Sequence, residues 1–219
     1  MLTRVSAFFC SKSVLLNFVS MVQRIIITRH PAIPGNDQGR FIGLSDISLG
    51  AQGEKEAHGL ARSLAARYSF QRIFSSPLQR CRRTAEIVSE HFRQPVRIIN
   101  RLREIDFGEW ENRNFQEISQ LDPAAVEDWL MKSSDFQFPG GERICAFQER
   151  VKQATEILLK TEGESLLAVT HGGVMRTMIC YLLRIPFTAS LAFKIQPAAV
   201  VELEIHEGMG VLKELNNSV

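Results

Sequence analysis

The chain has 219 residues, of which 45% are hydrophobic and 23% are charged, and its formal net charge is +2. This length and composition are those of a folded globular protein with one large core. A net charge so close to zero gives no support for a nucleic-acid or membrane-surface partner, and we predict neither. The apolar runs are also too short for a transmembrane helix, which needs about 18 consecutive apolar residues.

Four cysteines are spread along the chain, and none forms a Cys-x-x-Cys pair. This spacing predicts neither a disulfide framework nor a zinc site, and a reducing, cytoplasmic compartment is the simpler interpretation. Cys81 falls on the apolar face of a predicted helix, and we expect a buried thiol there rather than a reactive one. The other three are Cys10, Cys145 and Cys180.

The first 20 residues differ in composition from the rest of the chain. They contain Arg4 and Lys12, several serines and no acidic residue, which is typical of a transit or signal segment. However, Met21 directly precedes the first predicted strand, so a start codon assigned too far upstream explains the segment equally well. We therefore treat 1–20 as an appendage and 21–219 as the folded domain, and targeting by the appendage stays open.

Short apolar runs alternate with amphipathic segments from residue 25 to the end of the chain. Runs of Ile, Val and Leu bounded by turn residues predict buried strands, and apolar residues at helical spacing predict helices. Ser76 and Pro77 suit the N-cap and the first position of one helix. In chain order we predict a strand at 25–30, a loop at 31–50, a helix at 57–68, a strand at 72–74, a helix at 77–92, a strand at 96–99, short helices at 115–121 and 124–131, a long helix at 144–158, a strand at 166–170, a helix at 172–183 and a hairpin of strands at 199–205 and 211–215.

Strands that alternate with helices predict an α/β fold, a three-layer α/β/α sandwich around a mostly parallel central sheet, in a single domain. Two of these strands lead into a histidine, in the segments Thr28-Arg29-His30 and Thr170-His171. In open α/β sheets, ligands bind beyond the carboxyl ends of the parallel strands. We therefore expect His30 and His171 to face each other across one pocket.

Basic residues and helix starts gather at the same edge of the predicted sheet. Arg29 adjoins His30, and Arg80 lies in the first turns of the second predicted helix. His171 precedes the pair Gly172-Gly173, which opens a further helix. Free N–H groups at helix starts attract anions, and guanidinium groups match the geometry of phosphate oxygens. Two arginines and two histidines around one pocket predict a phosphate-binding site.

Five segments, in this order along the chain, resemble the signature segments of the histidine phosphatase superfamily. The superfamily includes phosphoglycerate mutases and α-ribazole phosphatases, and the similarity extends from about residue 23 to the C-terminus. It implies a phosphoglycerate mutase-like fold with a cap-like insertion at 105–143. The segments are Thr28-Arg29-His30 with Asn36 six residues on, 75–85 (Ser-Ser-Pro-Leu-Gln-Arg-Cys-Arg-Arg-Thr-Ala), 102–111 (Leu-Arg-Glu-Ile-Asp-Phe-Gly-Glu-Trp-Glu), Pro139-Gly140-Gly141-Glu142 and Thr170-His171-Gly172-Gly173-Val174.

The resemblance also implies a role for each residue of the site. It implies that His30 attacks phosphorus to form a phosphohistidine, that His171 donates to the transferred group, and that Glu104 protonates the leaving oxygen and then activates water. Arg29 and Arg80 would spread the remaining charge, so that no metal and no cofactor is required. The residues expected to bind substrate are Arg29, Asn36, Ile42, Gly43, Arg80, His171 and Gly172.

One position departs from the family pattern. The family usually has glycine directly after the nucleophilic histidine, whereas this chain has Pro31. Proline restricts φ and lacks the backbone N–H group. Two interpretations stay open: the missing N–H weakens phosphate binding, or the ring stiffens the mounting of His30.

Three functions stay open as well. The resemblance to the α-ribazole phosphatase and broad phosphatase branch favours a metal-independent phosphomonoesterase acting on a small phosphorylated metabolite, such as α-ribazole 5′-phosphate. A phosphoglycerate mutase is the main alternative, although the many acids in 104–142 argue against a second phosphate held from that side. A catalytically weak, phosphate-binding regulatory protein is the third, because of Pro31. Each is compatible with a homodimer.

Six further side chains have two interpretations each. Arg83 lies three residues from Arg80 and either rims the pocket or faces solvent. Five aromatic residues either contact an aromatic or nucleoside-like leaving group or fill the core of the insertion, which we expect for at least half of them. They are Phe41, Phe107, Trp110, Phe115 and Trp129.

Overall fold

The computed structural model describes residues 22–35, 38–132 and 135–218, so the predicted appendage 1–20 and Asn36 lie outside the described residues. Short 3₁₀ helices occur at Asn100–Leu102, Gly108–Trp110 and Phe187–Ala192. Within the described ranges, no helix is long and apolar enough to cross a membrane. The main elements are β1 (Arg24–Arg29), α1 (Ala51–Arg67), β2 (Arg72–Ser75), α2 (Gln79–Phe92), β3 (Val96–Ile98), α3 (Phe115–Leu121), α4 (Pro123–Lys132), α5 (Ile144–Leu159), β4 (Ser165–Thr170), α6 (Gly172–Leu182), β5 (Val200–His206) and β6 (Met209–Asn216).

The six strands of the described residues form one sheet in the order β3-β2-β4-β1-β5-β6. Strands β3, β2, β4 and β1 are parallel to their neighbours, whereas β5 pairs antiparallel with β1, and β6 pairs antiparallel with β5. The mostly parallel sheet and the closing hairpin predicted from the sequence are therefore confirmed.

Helices cover both faces of this sheet. Successive side chains of a strand point to opposite faces, so Ile26 belongs to one core cluster, and Ile25 and Ile27 belong to the other. The first cluster includes Leu60 of α1, and the second includes Leu158 of α5. The predicted three-layer α/β/α sandwich is confirmed. Burial on both faces also explains why the strands are continuous apolar runs rather than alternating ones.

The pairing of β1 with β4 brings the two strand-ending histidines together. Arg29 and Thr170 are register partners at the ends of the two strands. The N–H of His30 donates to the carbonyl oxygen of Thr170 at 3.0 Å. His30 and His171 therefore leave the sheet side by side at its carboxyl edge.

An aromatic cluster joins the loop after β1 to the predicted insertion. Trp110 is 1% exposed, and its ring centroid lies 5.6 Å from that of Trp129 and 6.0 Å from that of Phe41. Phe107 is 5.1 Å from Phe41, whereas Phe115 is 48% exposed. Trp110 and Trp129 therefore fill a core, whereas Phe41 and Phe107 pack against it and also line the cavity described below. Phe115 neither packs into that core nor reaches the cavity described below.

The second helix begins later than the sequence predicts. Helix α2 starts at Gln79 with Leu78 as its N-cap residue, so the predicted N-cap role of Ser76 and helical position of Pro77 are wrong. Instead, the Ser76 hydroxyl accepts from the N–H of Leu78 at 3.3 Å and lies 2.7 Å from Nε2 of His171. Serine side chains commonly form such local turns, and here the turn leaves the hydroxyl beside the histidine.

Candidate active site

A cavity of about 360 Å³ opens at the carboxyl edge of β1 and β4. Five of the residues predicted for the site line this cavity. A larger cavity of about 770 Å³ lies around Arg24 and Ser165, where the same strands begin, and neither His30 nor His171 lines it. We therefore place the candidate active site in the smaller cavity. Its predicted lining residues are Arg29, His30, Ile42, Glu104 and Gly172.

The imidazole of His30 is held in one tautomer. It is 3% exposed, and its Nδ1 lies 2.8 Å from the carbonyl oxygen of Pro31. A carbonyl oxygen can only accept, so Nδ1 carries the proton and Nε2 keeps its lone pair. Burial, followed by the positive charges of Arg80 and Arg29, holds the pKa of His30 well below its ordinary value. The ring is therefore neutral at pH 7, with Nε2 available as a nucleophile.

Pro31 contributes to this arrangement through its carbonyl group. The pyrrolidine ring restricts φ of the residue whose oxygen orients His30. Pro31 is itself buried. The contact favours the interpretation that proline stiffens the mounting of His30.

The second histidine lies behind the cavity wall. His171 is fully buried, precedes the first residue of α6, and its ring centroid is 5.3 Å from that of His30 at an interplanar angle of 65°. Its Nε2 is 2.7 Å from Oγ of Ser76, and Sγ of Cys81 lies 3.4 Å from the same nitrogen. Burial, and then the charge of Arg80, lower the pKa of His171 well below its ordinary value. In the free site both histidines are neutral.

The guanidinium group of Arg80 links the nucleophile to the loop after β1. Arg80 is fully buried, and its Nε donates to Nε2 of His30 at 3.3 Å. Its Nη1 donates to the carbonyl oxygen of Ser45 at 2.8 Å, and its Nη2 to that of Gly43 at 2.7 Å. A Cβ atom at Gly43 would lie 2.0 Å from the carbonyl oxygen of Ile105, so glycine is required there. Gly43, which the sequence predicts as a substrate-binding residue, does not line the cavity and instead positions Arg80 through its carbonyl oxygen.

A carboxylate that the sequence analysis did not single out holds this loop in place. Glu111 accepts from the N–H groups of Gly43, Leu44 and Ser45 at 3.1, 2.8 and 3.2 Å. It also accepts from the hydroxyl group of Ser45 at 2.6 Å. Because two of these residues present their carbonyl groups to Arg80, Glu111 fixes the direction of that guanidinium group.

Arg29 presents an unused donor to the site. Its Nη1 donates to the carbonyl oxygen of Ile195 at 2.8 Å. Its Nε is buried and has no hydrogen-bond partner in the described part of the chain. Buried N–H donors normally find an acceptor, so this group indicates a place for an anionic oxygen. Burial lowers the pKa of Arg29, and the nearby carboxylate of Glu104 opposes that shift.

Glu104 lies on the cavity wall, between the end of β3 and the start of α6. It is 8% exposed, and its carboxylate accepts from the N–H groups of Ile105 and Gly173, both at 3.1 Å. A Cβ atom at Gly173 would lie 2.6 Å from Oε1 of Glu104. The second glycine of the pair therefore allows this carboxylate to approach the helix. Nη2 of Arg150 donates to the carbonyl oxygen of Glu104 at 3.3 Å and holds its backbone.

Arg176 is a further basic residue of the cavity that the sequence analysis did not name. It lies one helical turn after Gly172 on α6 and lines the same cavity as His30. The spacing of four residues from Gly172 places both on one face of the helix and could have identified it. Arg83, in contrast, donates to Glu54 at 2.8 Å and is not part of the cavity wall.

The buried thiol expected at Cys81 is also present. It is fully buried, and its Sγ donates to the carbonyl oxygen of Thr170 at 3.4 Å. Burial raises the pKa of this thiol, so it is protonated and is not a nucleophile. In the described part of the chain, no cluster of three or more His, Cys, Asp or Glu side chains is arranged to hold a metal ion.

Comparison with known proteins assigns the family. Residues 25–218 match the model of the histidine phosphatase superfamily, branch 1. The chain belongs to this superfamily. Phosphoserine phosphatase 1 of Hydrogenobacter thermophilus is 30% identical over 194 residues, which cover 88% of this chain and 92% of that protein. Adenosylcobalamin/α-ribazole phosphatase of Salmonella typhimurium is 29% identical over 195 residues, covering 89% and 96% of the two chains.

The fold of this histidine phosphatase is also that of a solved relative. The crystal structure of a putative α-ribazole-5′-P phosphatase from Escherichia coli matches with a TM-score of 0.81 at 28% sequence identity. The match covers 90% of this chain and 97% of that one. The predicted superfamily, enzyme class and phosphoglycerate mutase-like fold are therefore confirmed.

Proposed function

We propose that this enzyme hydrolyses small phosphate monoesters through a phosphohistidine formed at Nε2 of His30. The observation that carries this proposal is the hydrogen bond from Nδ1 to Pro31, which leaves the Nε2 lone pair free in a neutral ring. A neutral imidazole is a nucleophile near pH 7, and a covalent intermediate divides one difficult step into two.

In the first step, Nε2 of His30 forms a bond to phosphorus while the bond from phosphorus to the ester oxygen breaks. The carboxyl group of Glu104 gives its proton to that oxygen, and the alcohol leaves. Arg29 and Arg80 balance the charge on the three phosphoryl oxygens, since each presents its guanidinium group beside His30. His171, 5.3 Å away between ring centroids, donates to one of these oxygens.

In the second step, the carboxylate of Glu104 takes a proton from water, and the water oxygen attacks phosphorus. The bond from Nε2 of His30 to phosphorus breaks, its electron pair returns to the ring, and inorganic phosphate leaves. The position of Glu104 on the wall of the cavity that holds His30 suits both proton transfers.

The substrate we propose is a small phosphorylated metabolite. A cavity of about 360 Å³ is of the size that holds small ligands. Phosphoserine and α-ribazole 5′-phosphate are the two candidates that the names of the relatives suggest. A cytoplasmic location and a homodimer stay predictions from the sequence.

The test is hydrolysis of p-nitrophenyl phosphate by the purified protein in buffer that contains EDTA. We expect turnover in the wild type and a loss of roughly 10³-fold or more in His30→Ala. His58→Gln is the matched control, because His58 is an exposed histidine on α1. Retention of more than a tenth of the activity in His30→Ala would contradict the proposal. Isomerisation of 3-phosphoglycerate with 2,3-bisphosphoglycerate, faster than phosphate release, would identify a mutase instead.

A further inference from the structure

We propose that Arg176 binds a carboxylate on the leaving alcohol, and that the preferred substrates are phosphate monoesters of small hydroxy acids. This inference rests on the proposed function, because it places the phosphoryl group at His30. It selects a class of substrate within that function.

The guanidinium group of Arg176 is anchored on one side and free on the other. Its Nε donates to the carbonyl oxygen of Phe193 at 2.9 Å. Its Nη1 and Nη2 have no acceptor in the described part of the chain, although the side chain lines the cavity. A guanidinium group held in this way offers two parallel N–H donors, the geometry that a carboxylate fits.

Arg176 lines the cavity together with Glu104, the proposed acid. Its electrostatic neighbours are Glu104 and Arg29, whereas the charges that act on His30 are those of Arg80 and Arg29. Glu104 is the group proposed to protonate the leaving oxygen. Arg176 is therefore placed near the proposed acid, where a group on the leaving alcohol can reach it.

In such a substrate the carboxylate and the phosphate ester must be close together. A Cβ atom at Gly172 would lie 3.6 Å from Nη1 of Arg176 and 3.6 Å from Cζ of Arg29. The two guanidinium groups thus both approach the same glycine. This proximity suits a carboxylate attached one or two carbons from the ester oxygen.

The other arginine at the cavity mouth is already paired. Nε of Arg40 donates to Gln38 at 2.7 Å, and its Nη1 contacts Glu117 at 3.1 Å and the carbonyl oxygen of Asn112. Of the arginines that line the cavity, Arg176 is therefore the one whose Nη1 and Nη2 both lack an acceptor in the described part of the chain. A single guanidinium group suits a carboxylate better than a second phosphate, and an uncharged nucleoside such as α-ribazole leaves it without a partner.

O-phosphoserine and O-phosphoethanolamine test the proposal, because they differ only by the carboxylate. We expect kcat/KM to be about 10- to 100-fold higher for O-phosphoserine, the value of one charged, bidentate hydrogen-bonded pair. Arg176→Gln should bring the ratio to within about threefold of one, and Arg176→Lys should give an intermediate ratio because lysine keeps the charge without the fork. Arg62→Gln, an exposed arginine on α1, is the control and should keep the wild-type ratio.

Binding gives a readout that does not depend on turnover. In the His30→Ala background, we expect dissociation constants of the two compounds to show the same preference, and Arg176→Gln to remove it. A wild-type ratio near one, or an equal loss for both compounds in Arg176→Gln, would overturn the role of Arg176. Loss of all hydrolysis by the wild type with the binding preference intact would overturn the proposed function and leave the role of Arg176 supported.

Discussion

Nδ1 of His30 lies 2.8 Å from the carbonyl oxygen of Pro31, the residue at which this chain departs from the family pattern. The contact fixes the tautomer in which Nε2 is the nucleophile. A residue that lacks an N–H group therefore still contributes to the site, through the oxygen that it presents to the ring.

Replacement of Pro31 by glycine distinguishes the two interpretations of this position. Glycine frees φ and restores the N–H group. We expect kcat for p-nitrophenyl phosphate to fall by about 3- to 10-fold, because the ring is held less firmly, with KM unchanged. Pro34→Gly, an exposed proline of the same loop, is the control. A lower KM with unchanged kcat would show that the missing N–H group limits phosphate binding.

Substitution of Glu111 by glutamine should weaken the site from outside the cavity. The glutamine side chain has the size of the glutamate but no charge. One of the two oxygens that accept hydrogen bonds from the loop 43–45 becomes an NH₂ group, which can only donate. Arg80 then loses its fixed direction, and we expect kcat/KM to fall by about 10-fold with a rise in KM as the larger part. Glu109→Gln, an exposed acid of the same segment, should leave kcat/KM unchanged. Equal effects of the two substitutions would contradict the role of Glu111.

Substitution of Gly173 by alanine tests Glu104 as the acid. The new Cβ atom would lie 2.6 Å from Oε1, so the carboxylate must move, whereas a Cβ atom at Gly172 would lie 3.6 Å from the side chains of Arg29 and Arg176. Proton donation matters most when the leaving alcohol is poor. We expect Gly173→Ala to lower kcat for an alkyl phosphate by about 10- to 100-fold and for p-nitrophenyl phosphate by much less. A uniform loss across leaving groups would argue against Glu104 as the acid.

Stability should fall as the pH decreases below 6.5. His30 and His171 have folded-state pKa values well below 6.5, so below that pH the unfolded chain binds protons that the folded chain does not. Between pH 7 and pH 5.5, this difference lowers the free energy of unfolding by about 2–3 kcal/mol for the two groups together. Urea unfolding at both pH values measures it, and His171→Gln should reduce the loss by about half. A stability independent of pH in this range would show that the two rings are not held neutral.

The sequence predicts most of the scaffold because its signals are local. The continuous apolar runs before His30 and His171 indicate buried parallel strands, and the register of β1 with β4 then brings both rings to one edge. The predicted start of the second helix is wrong because a Ser-Pro pair suits a helix start. In the fold, Ser76 instead contacts His171, which is distant in sequence.

The roles of two residues of the site depend on tertiary contacts, although the spacing of Arg176 from Gly172 already places it on the cavity face of its helix. Glu111 stands in a stretch with other acids, and only the folded loop 43–45 distinguishes it from Glu109. Arg176 is a basic residue on an otherwise apolar helix, and its role depends on the carbonyl group of Phe193 and on the neighbouring Glu104. The order of the five family-like segments identifies the residues proposed for catalysis. The contacts that hold Arg80 and Arg176 in place come from distant parts of the chain.

The proposed mechanism requires transfer of the phosphoryl group to His30. Rapid quenching in alkali during turnover of p-nitrophenyl phosphate, followed by mass spectrometry, detects this transfer; alkali is used because phosphohistidine is labile in acid. We expect one phosphoryl group on the peptide that contains His30, and none on that peptide in His30→Ala. Turnover without a phosphorylated peptide, or phosphorylation of a different residue, would contradict the mechanism.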